Sequence, residues 1–117
     1  MDPKELVQRT RAFASRIIKL VASLPPNRLG DVFGRQILKS GTSVGANYRE
    51  ALGASSKRQF IYIIEISQRE ADETLYWLEL LAESGTVSAT QLADLTQECR
   101  ELLAILTATG RSAKKRT

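Results

Sequence analysis

Histidine is absent from this 117-residue chain, and cysteine occurs once. Those two facts remove much familiar chemistry. Without imidazole, the commonest general base and the commonest metal ligand are both missing. A lone thiol, Cys99, cannot build a thiolate zinc site, and it has no partner for an intrachain disulfide. On an apolar helix face it suits packing in a reducing compartment. Three prolines and seven glycines leave little room for disorder before the C-terminus. No apolar run approaches the ~20 residues that cross a bilayer. The opening Met1-Asp2-Pro3-Lys4 does not read as a secretion signal. The expectation is a cytoplasmic protein with no membrane segment, no metal and no cofactor.

What is present fits one globular domain: 43% hydrophobic and 26% charged residues, in a chain long enough to bury a core unaided. The net charge of +4 is unevenly spread. Residues 1–58 carry eleven Lys/Arg against four Asp/Glu, residues 59–110 carry two against nine, and residues 111–117 add four more cations. Such asymmetry serves either polyanion binding or complementary contacts between subunits.

Breaks at Leu24-Pro25-Pro26-Asn27, Ala54-Ser55-Ser56 and Ser84-Gly85-Thr86 leave four segments, near 3–24, 28–53, 57–83 and 88–109. Pro3 suits a first helical turn, Pro25-Pro26 stops a helix, and Ser56 and Ser88 are candidate N-caps. None shows the alternation of a half-buried strand. The pattern predicts an all-α fold, an antiparallel up-down-up-down four-helix bundle over 1–110, with a basic flexible tail over 111–117.

The first and fourth helices carry ordinary core stripes: Leu6, Phe13, Ile17, Leu20, Val21 and Leu24, then Leu92, Leu95, Cys99, Leu102, Leu103 and Leu106. On the second, Leu29, Phe33, Gln36, Ile37, Ser40, Val44, Asn47 and Ala51 share a face. Its buried polar members need partners, for which Ser67, Glu70 and Thr74 on the third helix are candidates. Gly41 and Gly45 each weaken a helix interior by roughly 1 kcal/mol, so close approach of another helix is expected there. On the opposite side Arg28, Arg35 and Arg49 form a lengthwise row with Lys39 beside it. This row is either a solvated face or a surface that tracks phosphates. The third helix has a core stripe, Phe60, Ile63, Ile64, Ala71, Leu78 and Leu81, and a second apolar stripe, Tyr62, Ile66, Trp77 and Leu80. Two stripes on one helix predict a second partner, here an oligomer interface.

Carboxylates are plentiful at Glu65, Glu70, Asp72, Glu73, Glu79 and Glu83, yet no Glu-x-x-His pair exists for a di-iron bundle. Gly41 to Gly45 lacks the Gly-Lys-Ser/Thr ending of a phosphate loop and follows no strand. Ser43 has no neighbouring base. The chain therefore reads as non-enzymatic. Nucleic-acid binding is the positive hypothesis, through Arg28, Arg35, Lys39 and Arg49, through Arg11 and Lys19 of the first helix, and through Lys114, Lys115 and Arg116. No base-reading motif is visible, so contact is expected through phosphates of RNA or DNA.

The run from Lys39 to Ala51, then Ser56, Phe60, and Glu70-Ala71-Asp72-Glu73-Thr74 leading into Trp77-Leu78, resembles the small bacterial proteins of the rRNA intervening-sequence family. Phe13-Ala14, Ile17 and Leu24-Pro25 resemble that family's first helix. The likeness extends over about residues 5–108. It implies a four-helix bundle assembled as a ring-shaped homopentamer, and offers no catalytic residues. The motif positions Ser40, Ser43, Asn47 and Glu50 read as structural. Related proteins include accessory variability factors of diversity-generating retroelements, which bind nucleic acid and a reverse transcriptase. A reverse transcriptase or another protein is thus an implied partner. A ring contact between basic and acidic surfaces would compete with phosphates for the same cations.

Overall fold

Four short polar side chains set where the helices begin. Asp2, Asn27, Ser56 and Ser88 each accept a hydrogen bond from the amide three residues on, at Glu5, Gly30, Gln59 and Gln91, satisfying a donor that a helix start leaves unpaired. The computed structural model describes residues 1–116. Behind those caps run α1 (Pro3–Ala22), α2 (Arg28–Leu52), α3 (Lys57–Glu83) and α4 (Ala89–Lys115). The elements match the sequence expectation except at the end of α4. That helix continues through Lys115, so the basic stretch from residue 111 is helical rather than a tail, and Thr117 lies outside the described residues. Burial explains the difference: Gly110 packs beside Ile64 and Ala113 is 1% exposed, so the last turns have a surface to lie on.

Side-chain pairings fix the register. Along α2 and α3, Phe33 meets Trp77, Ser40 meets Thr74 and Val44 meets Ser67, so one index falls as the other rises. Gly34, Gly41 and Gly45 face Val21, Ile17 and Thr10 of α1 in the same antiparallel sense, and Cys99 and Gly110 face Ala71 and Ile64. Each helix packs along its successor, while α1 and α4 meet over a much smaller surface. There Arg9 closes the seam: its Nε and Nη2 donate to the Glu98 carboxylate at 2.8 and 2.7 Å, and Nη2 donates to Glu101 at 2.7 Å. This is one place where basic α1 meets acidic groups within a single chain.

The core is the one the stripes predict, centred on Phe13, Ile17, Ile37, Val44, Ile64, Leu78, Leu81, Leu102 and Leu106, each at most 1% exposed. Two glycines permit the α1–α2 contact. A β-carbon at Gly41 would stand 2.8 and 2.9 Å from the branched carbons of Ile17, and one at Gly45 would stand 2.9 Å from Thr10 Oγ1 and 3.4 Å from its backbone carbon. Leu29 differs from expectation. It is 59% exposed.

Candidate nucleic-acid interface

The close α1–α2 approach leaves shallow depressions on the outer surface, and cations stand around them. Arg11 of α1 and Arg49 of α2 flank one of about 270 Å³, floored by Val7, Thr10, Ala14, Gly45 and Ala46. A second, of about 350 Å³, lies toward the α1–α2 turn, lined by Arg35 and by the carboxylate of Asp31 beside Gly34 and Leu38. Arg28 is exposed at the start of α2 and Lys19 near the end of α1. Among the described residues, Arg11, Lys19, Arg28, Arg35, Lys39 and Arg49 form no salt bridge. Lys39 nevertheless lies on the α3 side, close enough to the half-buried Glu70 to oppose the upward pKa shift that burial and then Glu73 impose on that carboxyl.

The C-terminal cations sit apart from this ridge. Lys114 is engaged with Glu65 at 2.7 Å, while Lys115 and Arg116 are exposed and, among the described residues, unpaired. Sequence reasoning passed over Lys57 and Arg58, two exposed cations in the first turn of α3. Their signal was available: basic residues directly behind the Ser56 cap oppose the helix dipole.

The buried polar groups are largely accounted for within the chain. Ser67 Oγ donates to the Val44 carbonyl at 2.7 Å. Thr74 Oγ1 lies 2.7 Å from the Glu70 carbonyl and 2.9 Å from Ser40 Oγ. Asn47 turns back along α2 instead, donating from Nδ2 to the Ser43 carbonyl at 2.8 Å. The second apolar stripe is divided. Trp77 packs edge-on to Phe33 and Tyr76, with ring centroids 6.1 and 5.3 Å apart. Leu80 lies against the core and Ile66 is half-buried, which leaves Tyr62 at 63% exposure as the open member. Leu29, placed on a packing face by its spacing, is exposed, and Val32 and Tyr76 add exposed apolar surface that the stripes did not mark. Among the described residues no helix is long and apolar enough to cross a membrane.

An antiparallel four-helix bundle with a basic α1–α2 surface and half-covered aromatics along α3 is the class of protein that these helices define. The family model of the 23S rRNA-intervening sequence protein matches residues 4–108, and the chain belongs to that family. A solved structure from the S23 ribosomal protein family of Bacteroides thetaiotaomicron, a protein of unknown function, is similar at 35% identity. Its TM-score is 0.88, and the match covers 95% of this chain and 99% of that one. No curated protein matches the chain.

Proposed function

We propose that the protein is a non-catalytic cytoplasmic scaffold that binds RNA or DNA through phosphate contacts and works as a homo-oligomer, a ring of five in the arrangement the family resemblance implies. The observation that carries this reading is the ridge of Arg28, Arg35 and Arg49 with Arg11 across the groove, cations without a salt-bridge partner among the described residues. Unpaired cations cost little to present to solvent and release counterions when they meet phosphates. A ring would repeat the ridge about one axis and multiply a modest charge into a continuous basic surface. A reverse transcriptase is the protein partner the retroelement resemblance suggests.

A second reading has its own support. Leu29, Val32 and Tyr76 are exposed, α1 carries five Lys/Arg against one Glu, and α3 carries three against six Asp/Glu. An assembly module would use these surfaces for subunit contacts alone. Replacing Arg28, Arg35 and Arg49 together with glutamine separates the two. The scaffold reading expects binding of structured RNA and duplex DNA to weaken on the order of tenfold or more and the salt dependence to flatten, with the mass by light scattering unchanged. Dissociation of the oligomer by that variant supports the assembly module. A wild-type mass equal to one 13.0 kDa chain defeats oligomerisation.

A further inference from the structure

Lys57 and Arg58 sit in the first turn of α3, where aligned peptide dipoles already leave partial positive charge. Helix stability favours acidic residues at that position, and the turn has none. The two cations therefore stand there against a local electrostatic cost. The α3–α4 register sets Gly110 beside Ile64, which brings the last turn of α4 alongside the first turn of α3. Arg111, Lys114, Lys115 and Arg116 join the same end of the molecule, all exposed. The α3 carboxylate nearest to them, Glu65, is already paired with Lys114, and the other acids at this end, Asp2, Glu5 and Glu50, belong to α1 and α2. One turn along α3 from Arg58, Tyr62 projects an aromatic ring that is 63% exposed.

Cations of α3 and α4 gather at this end of the molecule, and the open ring of Tyr62 lies among Glu65, Gln68 and Arg69 one turn from Arg58; together they match an unpaired polynucleotide strand. The phosphates find the cations, and a base whose face is free stacks on the ring. A duplex keeps its bases stacked inside and has no such face to offer. Resting on the nucleic-acid reading above, we infer that this pole of the bundle, Lys57, Arg58 and Tyr62 of α3 with Arg111 and Lys115 of α4, holds unpaired nucleotides of a single strand.

Fluorescence anisotropy of a labelled unstructured RNA and a matched duplex, over a range of salt, tests it with the full-length protein. The double variant Lys57→Glu, Arg58→Glu weakens single-strand binding about tenfold or more and lowers the salt slope by roughly 1.4. Its melting temperature holds or rises, because glutamate suits a helix start; lost binding is then not lost folding. Tyr62→Ala weakens strand binding by about five- to a hundredfold while sparing the duplex, and Tyr62→Phe retains it. Wild-type strand affinity in the double variant, with loss in an Arg28→Gln, Arg35→Gln variant at the opposite end, overturns the pole and keeps the nucleic-acid reading. A drop in oligomer mass on Tyr62→Ala, with strand affinity unchanged, makes Tyr62 a subunit contact and overturns stacking. Absence of RNA binding by the wild-type protein at low salt sinks the broader reading itself, and binding to anionic lipid vesicles in its place reassigns the charge.

Discussion

Burial turns Cys99 from a reactive group into an inert one. Its side chain is fully enclosed, its S–H donates to the Ala71 carbonyl at 3.3 Å, and desolvation, helped by Asp72, pushes the thiol up to about 12. At pH 8 the native protein reacts with iodoacetamide about three orders of magnitude more slowly than the unfolded chain, which mass spectrometry with and without denaturant reads directly. An unfolded thiol loses its proton near pH 8.5, before the folded one, so this group's contribution to stability is intact below that point. It is lost as pH climbs toward about 12, so the urea midpoints of wild type and Cys99→Ala, separated below that window, converge through it. The packing role of Cys99 was legible because Leu95, Leu102 and Leu106 share its helical spacing. The Ser40–Thr74 pairing was legible for the same reason. The bond from Asn47 to its own helix was not, since a helical wheel gives the side a residue faces and not the competing local acceptor.

Glycine has opposite meanings in two of the helices. In α2, the β-carbon missing from Gly41 would press on Ile17, a stiff, fully buried side chain. In α4, one at Gly110 would meet Ile64 at an ordinary 3.5 Å. Gly41→Ala therefore destabilises, because overpacking of about 1–3 kcal/mol outweighs a propensity gain near 1 kcal/mol. Gly110→Ala stabilises by about 0.5–1 kcal/mol, the propensity term alone. Denaturant titration of both variants checks the pair, and a gain at Gly41 would remove the close-approach account of α2. The same two residues show the reach of sequence pattern. Glycines amid a regular apolar stripe foretold tight packing at Gly41. The fourth segment was expected to end near residue 109 with a basic tail beyond it, and only the burial of Ala113 reveals that α4 continues. The basic ridge was visible as spacing along one helix. Lys57 and Arg58 were legible behind the Ser56 cap, but their place at the same end as the α4 cations needed the α3–α4 register, which no single helix encodes.

At the scale of the molecule the bundle is a folded ribbon of helices whose first and last members barely touch. The seam between them depends on Arg9, whose forked contact with Glu98 and added bond to Glu101 push its pKa further up from the usual guanidinium value. Arg9→Ala lowers the free energy for opening α1 by about 1 kcal/mol and leaves the centre of α3 protected. Residue-resolved hydrogen exchange distinguishes this from uniform loss, since amides of α1 alone then exchange faster. A terminal helix attached along one side has a further consequence for force and for synthesis. Pulled from its N-terminus, the protein peels one helix at a time, with the Pro25-Pro26 turn as the first corner to yield. Emerging from a ribosome, it builds in that same order along the chain: α1 and α2 meet first through their glycine contact, and α4 arrives last to cover Ile64 and Ala71.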